Sequence, residues 1–128
     1  TLRNSSAASD VYKRQGKGLH IKSNTYIGPF AKIGIGGYVE IGSNCQIGSR
    51  FSLNAEEHKE SDGTFTSGEI SRQGIIIGNN VWVGDNVTIL DGVRVGNNSV
   101  IGANSLVTKD IPESTISFGV PCKVIRQI

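Results

Sequence analysis

The stretch "IGNNVWVGDNVTILDGVRVGNNSVIGANSLV", residues 77–107, decides the fold. Within it an apolar residue returns every six positions, at Ile77, Val83, Ile89, Val95, Ile101 and Val107. Four positions beyond the first five stand Val81, Val87, Val93, Ser99 and Ser105, all small or β-branched. Glycine follows the apolar residue at Gly78, Gly84, Gly96 and Gly102. A period of six is a multiple of the strand repeat and not of the helical one, and β-branched side chains favour extended backbone. Each unit therefore predicts a short strand with one inward aliphatic and one small inward residue. The Gly, Asn and Asp between them permit the positive φ of a tight corner. Three strands and three corners close one coil of eighteen residues. Stacked coils bury ladders of like side chains and satisfy backbone groups between coils.

The same beat runs through the N-terminal half at Ile21, Ile27 and Ile33, then Ile35, Ile41, Ile47 and Leu53. Its four-on positions are Thr25, Ala31, Val39, Cys45 and Phe51. From Ile33 to Ile41 the step is eight, and "IGIGG" there reads as a two-residue bulge at one corner. The rhythm stops after Leu53, at a polar segment from Asn54 to Gly74, and restarts at Ile77. Loops of that length in a regular scaffold are usually functional or disordered. The expectation is an all-β parallel helix of about four coils, with a long loop over 54–74 and a C-terminal cap over 108–128. An antiparallel sandwich of short strands is the competing architecture, and the strict period counts against it.

At 128 residues the chain allows one domain, and 37% hydrophobic with only 6% aromatic residues and 17 glycines fits a regularly turning backbone better than an ordinary core. Cys45 and Cys122 have neither metal-site nor disulfide-framework spacing, which points to free thiols and a reducing, cytoplasmic setting. No apolar run has the length of a membrane span, and no signal-peptide core is visible. Residues 5–15, "SSAASDVYKRQ", resemble a translated sequencing adapter. Residues 1–15 are therefore read as an artefactual tail, the domain as 16–128, and the native start as lying upstream; a genuine disordered tail is the alternative. The formal charge is +2, but without Arg3, Lys13, Arg14 and Asp10 the basic and acidic residues balance. That excludes a basic nucleic-acid footprint.

The hexapeptide repeat resembles the hexapeptide-repeat acyltransferases, whose fold is a left-handed parallel β-helix. "NNVWVG", "SLVTKDIP" and "GVPCKVIR" make residues 77–128 similar to the galactoside, maltose and capsular-polysaccharide O-acetyltransferase branch. The left hand comes from this resemblance, since physics alone favours right-handed crossovers. The resemblance implies a homotrimer with acetyl-CoA in a groove between subunits, a sugar-type acceptor and no metal. Thr108 and Lys109 match the "VTKD" positions near the cofactor. Lys123, with Arg126, matches the basic end that would face the cofactor phosphates; a solvated cationic tail is the alternative. Gly84 and Ala103 fall where backbone passes the pantetheine arm, although Gly84 is also a plain repeat glycine. Trp82 precedes inward Val83, so alternation points it outward, to a cofactor wall or to trimer packing.

The same resemblance puts the general base at a histidine shortly after the coil leaves the prism, and "AEEHKE" offers His58 there. Imidazole titrates near neutrality and can take a proton from a sugar hydroxyl. Glu56, Glu57 or Asp62 could orient it, and Asn54 is an acceptor-binding candidate. His20, beside inward Ile21, is expected in solvent. The branch often carries a second histidine soon after the first, and "HKESDGTF" has none. A γ-type carbonic anhydrase needs three metal-binding histidines and the chain has two. Outward Thr ladders of an ice-binding solenoid are missing. The remaining alternatives are a non-catalytic scaffold, the regulatory tail of a larger enzyme, and amino-sugar N-, serine or antibiotic acetylation.

Overall fold

The computed structural model describes residues 17–128, and the expected tail over residues 1–15 lies outside them. The first coil is β1 (Gly18–Ile21), β2 (Tyr26–Ile27) and β3 (Lys32–Gly34). The second is β4 (Tyr38–Ile41), β5 (Gln46–Ile47) and β6 (Ser52–Asn54). A hairpin of β7 (Glu57–His58) and β8 (Ile70–Ser71) follows. The third coil is β9 (Ile75–Ile77), β10 (Trp82–Val83) and β11 (Thr88–Ile89), and the fourth is β12 (Arg94–Val95), β13 (Val100–Ile101) and β14 (Leu106–Val107). A partial fifth begins with Ile111, bridged to Val95, and continues into β15 (Thr115–Gly119). Then β16 (Cys122–Gln127) folds back antiparallel on β15.

Corresponding strands stack into three parallel faces, ordered β1-β4-β9-β12, β2-β5-β10-β13-β15 and β3-β6-β11-β14. Register is in phase throughout: Ile21, Ile41, Ile77 and Val95 form one ladder. Ile27, Ile47, Val83, Ile101 and Ser117 form the second, and Ile33, Leu53, Ile89 and Val107 the third. From the second coil upward these aliphatics are almost wholly buried. Each such side chain stabilises the fold by about 1.5–3 kcal/mol. Inward Ser99, Ser105 and Thr115 donate to the carbonyls of Gly96, Gly102 and Pro112 at 2.7, 2.7 and 2.8 Å, so a polar group sits in the core without a lost partner.

The corners divide their chemistry differently from the sequence expectation. Left-handed φ is carried mainly by asparagine, at Asn24, Asn44, Asn80 and Asn98 along one edge and Asn86 and Asn104 along another. Asparagine tolerates this region because its short amide bonds locally. The repeat glycines serve close approach instead. A Cβ on Gly84 would stand 2.6 Å from the Ala103 nitrogen of the next coil.

The hairpin enters without disturbing register. Val83 pairs with Ile47, 36 positions earlier, while Ile101 pairs with Val83, 18 earlier. The excursion therefore inserts one coil's length of chain, an even number, and inward residues stay inward.

Candidate active site

The excursion is a short two-stranded ribbon. His58 stands opposite Ile70 and Glu57 opposite Ser71, and the Lys59 amide donates to the Glu69 carbonyl at 3.0 Å. At its root a cleft of about 300 Å³ is lined by Asn54, Glu56, Glu57, His58 and Ile70. His58 is exposed there. Among the described residues no hydrogen bond or ion pair engages the imidazole, so its ring nitrogens face the cleft or solvent. Of the carboxylates expected to orient it, Glu56 is engaged elsewhere: Arg72 Nε donates to its Oε2 at 2.9 Å. Glu57 and Asp62 are exposed.

The root of the ribbon has a built seat, and this is what sequence reasoning missed. Gly34 pairs with Asn54, and a Cβ on Gly34 would lie 2.5 Å from Asn54 Oδ1. A Cβ on Gly36 would overlap the Glu56 carboxylate, and one on Gly37 would stand 2.6 Å from the Ala55 carbonyl oxygen. The "IGIGG" bulge thus makes room for the departing strand one coil above it. On the return side, Asp91 accepts from the Gln73 and Gly74 amides, both at 2.8 Å. The signal was available: both irregularities share one corner once the sequence is wrapped at the coil length.

A second cleft, about 380 Å³, is lined by Trp82, Gly84, Val100, Gly102 and Ala103, among others. Trp82 is 60% exposed, as outward alternation requires. Register places Tyr26, Gln46, Trp82, Val100, Ile116 and Arg126 in one outward row. Lys123 stands opposite Phe118, whose Cβ packs over Gly102. Trp82, Gly84 and Ala103 therefore meet in one cleft, with Lys123 and Arg126 on the strand at the C-terminal edge of that face. Thr108 and Lys109 are exposed beyond β14, at a different corner, and line neither cleft. His58 and Trp82 line separate clefts. His20 is exposed and stacks on Tyr38 with ring centroids 5.0 Å apart.

A larger hollow of about 640 Å³ between Arg94, Asn97, Asp110 and Glu113 contains none of these groups, so size does not mark the site. At the start of β16, burial pushes the Cys122 thiol up, and a hydrogen bond with Ser105 opposes that shift more weakly. Both cysteines are free. Among the described residues no His/Cys/Asp/Glu group has metal-site geometry, and no helix is long and apolar enough to cross a membrane.

Known proteins place this geometry in context. The family described as "Bacterial transferase hexapeptide (six repeats)" matches residues 74–109. No curated protein sequence matches. Among solved structures, a maltose O-acetyltransferase from Clostridium difficile 630 is 34% identical, with TM-score 0.69 over 88% of this chain and 68% of its own. The polySia-specific acetyltransferase NeuO is also 34% identical, with TM-score 0.69 over 87% of this chain. The chain spans only 53% of NeuO's length. A galactoside acetyltransferase in complex with coenzyme A is 28% identical, with TM-score 0.66 over 98% of this chain and 80% of its own. With its three-faced solenoid, its repeat and this likeness to the maltose enzyme, the chain belongs to the hexapeptide-repeat acyltransferases and has their left-handed parallel β-helix.

Proposed function

We propose that this chain transfers acetyl from acetyl-CoA to a hydroxyl of a sugar or polysaccharide, with His58 as general base. The observation that carries the reading is the long break in the solenoid after β6: it presents His58 with Asn54 at an open cleft, in a member of an acyltransferase family. The second cleft fits a long, thin acyl carrier. Gly84 and Ala103 bring two coils so close that a Cβ would fill the gap. Trp82 offers an exposed flat side, and Lys123 and Arg126 supply cations at one end for phosphates. Thr108 and Lys109, at the neighbouring corner, would meet the nucleotide end only from a second surface. Acetyl-CoA supplies an activated acetyl group when bound.

His58 takes the acceptor hydroxyl proton as that oxygen attacks the thioester carbonyl carbon. The C–O bond forms, the C–S bond breaks, and His58 gives the proton to the departing thiolate. Asn54 positions the acceptor from the cleft wall. Because His58 and the Trp82 cleft are separate in one chain, the reading places the site between copies of a homotrimer, His58 of one facing the cleft of the next. Free thiols suit the cytoplasm, where this reading places the protein.

The test is release of free CoA thiol from acetyl-CoA across a panel of sugar acceptors. Wild type turns over with at least one sugar, and His58→Ala loses about 10²–10⁴-fold in kcat, the usual contribution of a positioned base. Full turnover by His58→Ala sinks the assignment of the base. Lack of turnover with every sugar, alongside turnover of an amine, sinks the acceptor class.

A further inference from the structure

We infer that Glu56 and Arg72 are positioning residues that lock the root of the His58 hairpin, and that Glu56 acts as a strut rather than as a partner of the imidazole. The inference rests on His58 being the base.

The two strands of the ribbon are only two residues long each. An isolated hairpin is marginal in water even when longer. Something other than its ladder must therefore hold His58 in place, because a base misplaced by about 1 Å forfeits on the order of 10²-fold in rate. The structure supplies three fixings. Outgoing chain is held by Ala55, which is fully buried and whose amide donates to the Gly34 carbonyl at 3.1 Å. Returning chain is held by Asp91 on two successive amides. Between these anchors, at the root itself, the Glu56–Arg72 pair joins the side chain of one leg to that of the other, 2.9 Å from Nε to Oε2 and two residues before His58, while beyond His58 the Ser61 hydroxyl donates to Glu69 Oε1 at a longer 3.3 Å.

The seat beneath fixes which rotamer Glu56 takes. Its carboxylate lies against Gly36, in space that any Cβ there would fill. Arg72 Cβ would stand 3.5 Å from a Cβ on Gly37, so both partners of the pair rest on the two extra residues of the bulge. The bulge, the pair and the hairpin form one device. An exposed ion pair adds little to global stability. Its effect is local: it removes a splaying motion of the two legs.

The experiment uses the full chain. In Arg72→Ala, exchange of the Lys59 amide accelerates about tenfold or more as the ribbon loosens, while the Gly84 amide is unchanged. In the same variant kcat falls about tenfold to a hundredfold, and KM for acetyl-CoA stays constant because neither Glu56 nor Arg72 lines the carrier cleft. Arg72→Lys keeps charge and reach and retains most of kcat. The swapped double variant Glu56→Arg with Arg72→Glu recovers both exchange protection and kcat. If Glu56 instead held the imidazole directly, the swap would stay as slow as Glu56→Gln, and that result overturns the inference. Unchanged Lys59 exchange in Arg72→Ala also overturns it. Exchange is read without substrate, so failure of the clamp and failure of His58 as base are told apart.

Discussion

Cys122 shows how little a residue's type says about its reactivity here. A free thiol near neutrality reacts through its thiolate fraction. Burial disfavours that charged form and pushes the Cys122 pKa up; the Ser105 hydrogen bond acts the other way. At any pH below the raised value, less thiolate is present than in a free cysteine. Alkylation by iodoacetamide between pH 7 and 8 should therefore be slower than that of glutathione, and its rate should still be climbing at a pH where glutathione has levelled. Ser105→Ala removes the lowering contact and should slow the reaction further. A Cys122 rate matching glutathione across this range would contradict the burial seen in the structure.

At the scale of the elements, the fold rests on a division of labour between asparagine and glycine that the letters alone did not separate. Both are turn residues, so the repeat "GNN" or "GAN" was readable only as a corner. The structure assigns Asn98, at φ 58°, to the left-handed position and Gly96 to the near-contact with Glu113 of the next coil. Opposite responses follow. Asn98→Ala should destabilise by about 1–2 kcal/mol, the cost of left-handed backbone for a side chain with a Cβ and no local bond. Asn98→Gly should be close to neutral, since glycine adopts that φ freely. Gly96→Ala should be the worse substitution at the glycine site, despite an ordinary φ, because backbone cannot retreat. Urea midpoints of the three variants check the order. The same distinction explains what was legible at the candidate site. Periodicity located strands, inward residues and the break holding His58, because each is a one-dimensional pattern. The Asp91 clamp and the contacts of Gly34, Gly36 and Gly37 with Asn54, Glu56 and Ala55 join residues 17 to 20 positions apart across coils, and the Glu56–Arg72 pair joins the two legs of the ribbon 16 positions apart. Only wrapping the chain into register brings them together.

At the scale of the whole molecule, the reading depends on where two half-sites meet. In one chain the His58 cleft and the Trp82–Gly84 cleft are distinct, on different parts of the prism. A rigid solenoid cannot bend to join them. A cyclic trimer can, because each heterologous contact sets one surface of a copy against a different surface of the next. Trp82, 60% exposed in the single chain, gains cover in that arrangement. Complementation separates this from a site within one chain. Two inactive variants are prepared, His58→Ala, which lacks the base, and Gly84→Val, which blocks the carrier cleft. They are dissociated, mixed in equal amounts and reassembled. If the site spans two copies, an active site forms wherever an intact His58 from one variant faces an intact cleft from the other, and about a quarter of the wild-type activity returns by random assembly into closed trimers. If both halves work within one chain, every site carries one lesion and nothing returns. Sedimentation of the mixture at three times the chain mass, with no recovered turnover, would leave the trimer standing and move the active site off its interface.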